Sequence, residues 1–151
     1  MRVILTHEQA DLDALASLLG AHLLDKDAYA LLPRQINRNG QAFLQKFQQE
    51  LGFNTVSDLP GESITQVALV DTQSLITLKG FSARTHVSVI DHHPRKAHTD
   101  PEWAVELHET GACTTVLVEK LQKAQTPFSA SQATLLLLGI YEDTGSLSYA
   151  M

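Results

Sequence analysis

With 151 residues, the chain is long enough for one domain with a sizeable core and too short for two full ones. Hydrophobic residues make up 44% and charged residues 19%, no stretch approaches the roughly 20 apolar residues of a membrane span, and the opening MRVILTH lacks a secretory signal, so a soluble cytoplasmic protein is expected. One cysteine excludes an internal disulfide, and a net charge of −6 disfavours non-specific binding to duplex nucleic acid unless bound cations reverse the local sign.

Short β-rich runs alternate with helical patterns. The alternation predicts an α/β domain, three-layered and Rossmann-like, around a mainly parallel five-stranded sheet. Residues 3–6 form the first apolar, β-branched run. Residues 11–24 follow as a helix, with Leu12, Leu15, Leu19 and Leu23 on one apolar face. A second strand is expected over 29–32, closed by Pro33, and a second helix over 41–51, stopped by Gly52. The clearest strands are 67–70 and 87–90, read as continuous apolar runs covered on both faces, and each ends on an aspartate. Residues 103–107 alternate more and suit an edge strand. GACTT at 111–115 opens a helical pattern through Val116, Leu117 and Leu121, and Ser129 or Ser131 can cap a last helix running to 140. Loops are expected at 25–27, 33–40 and 54–63.

In open α/β sheets ligands sit beyond the carboxyl ends of the strands. The first strand delivers His7, then Asp11 and Asp13; the third delivers Asp71; the fourth delivers Asp91, His92 and His93. All should converge on one edge of the sheet. Mixed carboxylates and imidazoles suit Mn²⁺ or a similar first-row ion, whereas the lone thiol of Cys113 rules out a thiolate cluster. Several carboxylates crowded together repel one another unless cations intervene, and a pair of metals can share a bridging carboxylate and activate water against phosphorus. Cys113 itself is expected to be a small buried residue. His22, His86, His98 and His108 lack a motif, and Arg34, Arg38 and Arg95 are either solvated loop cations or phosphate contacts.

Four segments then go beyond spacing. THEQADLD at 6–13, VDT at 70–72, IDHHP at 90–94 and GIYEDTG at 139–145 resemble, in order, the motifs of the DHH phosphoesterase superfamily. The resemblance covers nearly the whole chain and implies that residues 1–151 are a DHH metal-binding catalytic domain without the second, substrate-binding domain usual in that superfamily. It implies two ions, Mn²⁺ or Mg²⁺/Co²⁺, with His7 and Asp11 on one and Asp13 and His92 on the other. Asp71 would bridge them and take part in catalysis, and Asp143, which strand-end logic does not single out, would complete the set. His93 would face the substrate phosphate, and Asp91 would orient the histidine pair.

The implied activity is hydrolysis of a phosphodiester or phosphoanhydride bond in a small nucleotide, a cyclic dinucleotide, pyrophosphate or a short RNA. The wording also resembles the DHH module that precedes CBS and nucleotidyltransferase or poly(A) polymerase domains in long bacterial tRNA-processing proteins. Expected partners are therefore a phosphate substrate, downstream domains of a longer chain and, as an open option, a second copy in a homodimer, with no membrane. A non-catalytic, metal-dependent regulatory or RNA-positioning module is the alternative. A plain nucleotide-binding domain is disfavoured, because no glycine-rich phosphate loop follows any predicted strand.

Overall fold

The computed structural model describes residues 1–149. Strand β1 (Arg2–Leu5) leads through a short β2 (Gln9–Ala10) into helix α1 (Leu12–Leu24). There follow β3 (Tyr29–Ala30), β4 (Gln35–Ile36), α2 (Arg38–Leu51), β5 (Gln66–Val70), β6 (His86–Asp91), β7 (Ala104–Leu107), α3 (Cys113–Lys123) and α4 (Ala130–Asp143). The main sheet has the order β3-β1-β5-β6-β7 with every pairing parallel, as the alternating pattern predicts. From β1 the chain first adds β3 on one side and later β5 on the other. The strand order therefore reverses beside β1, where parallel sheets open a crevice.

Helix α1 is buried almost all round because it lies between two layers. Leu18 and Ala21 pack toward Ile4, Ala30 and Val70 of the sheet, together with Leu117 of α3. Its other side, Leu15, Ala16, Leu19 and Leu23, meets Phe43 and Leu44 of α2 and Leu135 and Leu136 of α4. The opposite face of the sheet, with Val3, Leu5, Val67, Leu69, Val87 and Val89, packs under irregular segments carrying Leu59, Ile64, Leu75, Phe81 and Trp103 rather than under α-helices. Among the described residues no helix is long and apolar enough to cross a membrane.

Three expectations need correction. Helix α2 begins at Arg38, inside the expected 33–40 loop, because the Asn37 side chain caps it by accepting from the Gly40 amide at 2.8 Å. Gly52 ends it as foreseen, in the left-handed conformation at φ 74°. The same loop also contributes β4, which pairs with β2; two-residue strands carry no periodicity that could announce them. Finally, β5 and β6 are covered only in part on the face toward α1 and α3, where Val70 is buried. His86 and Ser88 are exposed and Ala68 and Ile90 half-buried, beside an open cavity of about 770 Å³ to whose wall α1 and α3 contribute only Ala21, Leu24 and Leu117.

One close approach sets how α4 crosses the domain. A Cβ at Gly139 would stand 2.5 Å from the Ala16 Cβ of α1 and 2.8 Å from the Thr114 hydroxyl oxygen of α3. Gly139→Ala should therefore destabilise the fold by about 1–3 kcal/mol through overpacking, although alanine is the better helix former by about 1 kcal/mol. Urea unfolding checks this; an unchanged or higher midpoint would contradict the packing described.

Candidate metal centre

The crevice beside β1 is where the chemistry collects. Past β1 the chain places His7, and the β2–β4 pairing holds the turn that follows: the Asn37 amide donates to the Ala10 carbonyl at 2.8 Å and the Gln35 amide to the Glu8 carbonyl at 3.1 Å. Asp11 then caps α1, one carboxylate oxygen accepting from the Ala14 amide at 2.9 Å. Asp13, within the first turn of α1, is fully buried, and its two oxygens accept from the Cys113 and Thr114 amides at 2.7 and 2.9 Å. The amino end of α3 thus fixes the carboxylate, since its first amides have no partner within the helix. Cys113 is buried, as expected, and burial pushes its thiol well up, so it stays protonated.

Asp71 directly follows β5, in the left-handed region at φ 56°, and is 4% exposed. A non-glycine residue held there costs of the order of 1–3 kcal/mol, a strain that concentrates at functional sites. Asp91 ends β6, fully buried, with both carboxylate oxygens engaged. One oxygen accepts from the His92 and His93 amides and, at 2.8 Å, from His93 Nδ1; the other accepts from Gln73 Nε2 at 2.8 Å. His92 is oriented by its Nδ1, which donates to the Thr110 carbonyl at 3.1 Å and leaves Nε2 facing the crevice. Asp143, the last residue of α4, arrives from the far side.

All six residues expected to hold ions meet here. His7 Nε2 stands 3.4 Å from Asp71 Oδ2 and 4.0 Å from Asp11. His92 Nε2 stands 3.3 Å from Asp143, 3.5 Å from Asp71 Oδ1 and 3.8 Å from Asp13. His7, Asp11 and Asp71 form one group, and Asp13, His92 and Asp143 a second, with one donor atom of each residue within 4.8 Å of the others. A further grouping of Asp71, Asp91, His92 and His93 also meets that limit, but both Asp91 oxygens are already engaged, one by the His92 and His93 amides and His93 Nδ1 and the other by Gln73.

Charge in the crevice is poorly balanced without a cation. Asp143, and then Asp71, hold a proton on His92 and push its imidazole up to about 11; Asp71 likewise raises His7. Burial alone would raise Asp71, but its two histidines outweigh that and keep it ionised. Burial, with the charge of Asp71 alongside, pushes Asp13 up, and burial raises Asp11. Despite these contacts, Asp71 Oδ1 and His92 Nε2 are buried with no hydrogen-bond partner. Oxygen and nitrogen ligands of an octahedral ion at about 2.1 Å stand roughly 3.0 Å apart when adjacent and roughly 4.2 Å when opposite. The separations of 3.3–4.0 Å fall between those two values, and the donor set of carboxylates and imidazoles fits a divalent first-row cation.

Sequence reasoning missed Gln73. Its side chain is buried; its amide donates to Asp91 and, at 3.1 Å, to the Pro94 carbonyl, while its oxygen accepts from the Lys96 amide at 2.8 Å and the Thr99 hydroxyl at 2.9 Å. It pins the loop that carries His92 and His93, and no periodicity or motif marks such a residue. Gln73→Leu, which keeps the volume and removes the amide, should cost about 1–3 kcal/mol by stranding buried partners. A urea midpoint equal to that of the unaltered protein would contradict this assignment.

Known proteins resemble this chain along most of its length. The family described as DHH family, N-terminal domain, matches residues 2–140. An A-adding tRNA nucleotidyltransferase of Aquifex aeolicus (strain VF5) is 33% identical over 148 residues, covering 98% of this chain and 17% of that protein. Its counterpart from Geobacter sulfurreducens is 34% identical over 155 residues, covering 99% and 18%. The chain thus spans less than a fifth of the length of these curated relatives. Among solved structures, an exopolyphosphatase-related protein from Bacteroides fragilis superposes with a TM-score of 0.72 at 17% identity, covering 98% of this chain and 47% of that one. A Methanococcus jannaschii protein described as a family II inorganic pyrophosphatase gives 0.66 at 24% identity, covering 97% and 50%. Both show a shared fold. With the family match running over nearly its whole length and the Asp91-His92-His93 run seated at the end of β6, this chain belongs to the DHH family, as an example of its N-terminal domain.

Proposed function

We propose that residues 1–151 form the ion-binding domain of a phosphoesterase that works with two divalent ions, Mn²⁺ being the best fit to the donor set and Mg²⁺ or Co²⁺ the substitutes. His7, Asp11 and Asp71 would hold one ion and Asp13, His92 and Asp143 the other, with Asp71 shared between them. The observation that carries this reading is the placement of the Asp71 carboxylate. One of its oxygens lies 3.4 Å from His7 and the other 3.5 Å from His92, so a single buried side chain faces both groups. Ions bound there would lower the pKa of a water and offset the charge of a phosphate.

The remaining residues have distinct parts. With its Nδ1 held by the Asp91 carboxylate, His93 would present Nε2 to a phosphate or leaving oxygen; its side chain is half-exposed, as contact with substrate requires. Asp91 orients His93 and Gln73 holds Asp91. The proposed substrate is a phosphodiester or phosphoanhydride of a small nucleotide or short RNA; the family membership supports the phosphoesterase part of that reading. Further domains of a longer protein would select the substrate, in keeping with the small share of each curated relative that this domain spans.

A second reading draws on the same relatives. Both are A-adding tRNA nucleotidyltransferases, which favours a metal-dependent regulatory or RNA-positioning module within a tRNA-processing protein. Hydrolysis separates the two. The protein, incubated with Mn²⁺ and in turn a trinucleotide RNA, a cyclic dinucleotide and pyrophosphate, should cleave at least one of them. The activity should disappear on chelation and in Asp71→Ala and Asp143→Ala. Metal binding with no cleavage of any of the three, in a protein that includes its downstream domains, would sink the catalytic reading in favour of the module.

A further inference from the structure

GIYEDTG places two carboxylates side by side at the end of α4, and only one of them can serve the ions. Consecutive helical residues point about 100° apart. Asp143 turns toward His92, and Glu142 turns instead toward the amino end of α1, where it accepts a hydrogen bond from the Leu12 amide. That amide is the first of the helix and has no partner within it, and a carboxylate is well placed against the helix amino terminus. Leu12 lies between Asp11 of one ion group and Asp13 of the other.

The second oxygen of Glu142 is also engaged. It accepts from Asn37 Nδ2 at 3.1 Å and Asn39 Nδ2 at 3.5 Å. Asn37 in turn caps α2 with its side chain and donates its own amide to the Ala10 carbonyl, next to Asp11. Glu142 therefore closes a ring of contacts running from residue 10 to 37, on to 142 and back to 12. It belongs to none of the groups that could hold an ion.

We propose that Glu142 is a positioning residue of the two-ion site: it clasps the amino end of α1 to the carboxyl end of α4 and so fixes Asp11 and Asp13 against Asp143. The role rests on the two-ion reading above. Released from Glu142, the end of α4 would lose its direct tie to the first turn of α1, and Asp143 its alignment with Asp13 and His92. A generic stabilising bond would change the unfolding midpoint alone; a positioning residue changes how the ions bind.

Mn²⁺ titration calorimetry and electron paramagnetic resonance test this on the same protein. The unaltered protein should bind two ions and give the spectrum of an exchange-coupled Mn²⁺ pair. In Glu142→Ala one of the two ions should bind about 10–100-fold more weakly, the usual effect of removing a group that orients ligands, and the coupled spectrum should fade at Mn²⁺ levels that saturate the unaltered protein. Metal-free unfolding is measured alongside. Should Glu142→Ala fail to fold, Glu142→Gln takes its place, because it keeps an acceptor for Leu12 but sets one amide against another at Asn37; it too should weaken one ion. Pairing it with Asn37→Asp exchanges donor and acceptor across the same contact and should restore the coupled spectrum. Two ions at unaltered affinity in the folded single variant, or no recovery in the paired one, would overturn the role of Glu142. An unaltered protein that binds fewer than two ions would instead bring down the two-ion reading, and this role with it.

Discussion

Everything in the crevice is arranged around a buried carboxylate that the backbone holds under strain. Asp71 lies at the switch between β1 and β5, with a left-handed φ of 56° and one histidine on each side. The parallel pairing of β1 with β5 and of β5 with β6 fixes the ends of three strands at one level, so His7, Asp71 and the Asp91 to His93 run are delivered together. An isolated carboxylate at that depth would give up its charge. Here two imidazoles sustain it, while the neighbouring Asp13 is driven toward neutrality. That division of charge describes a cluster short of positive charge, which is what divalent cations provide.

Around that centre the helices act as brackets. The amino end of α3 presents two backbone amides to Asp13, and the amino end of α1 is capped from within by Asp11 and from α4 by Glu142. Two helix amino termini therefore lean on acidic side chains near the proposed ion positions. Behind them Gly139 lets α4 approach α1 and α3 closely enough for its last turn to reach the crevice. Packing in the helical layer and geometry at the site are consequently one problem: a side chain added at residue 139 would move Asp143.

How much of this could be read from the chain depends on the kind of signal. His7, Asp11, Asp13, Asp71, Asp91, His92 and His93 were legible because parallel strands end where ligands bind, and that rule needs only the strand pattern. Asp143 was visible only through the resemblance to a family, since a 3.6-residue period shows which face of α4 is apolar but not where its end points. Glu142 and Gln73 were missed for a related reason. Each acts through contacts with residues far away in sequence, 130 positions in the case of Leu12 and Glu142, and local pattern carries no trace of them. The β2–β4 pair was too short to announce itself. The supposed apolar run at 87–90 in fact contains Ser88, whose exposure marks the open face of β6.

The central claim is that Asp71 serves two ions at once. Anomalous diffraction from Mn²⁺-soaked crystals tests it most directly. Two peaks are predicted, about 3.5–4 Å apart, with a carboxylate oxygen of Asp71 against each, His7 beside one and His92 beside the other. A single peak, or two peaks of which Asp71 touches only one, would contradict it.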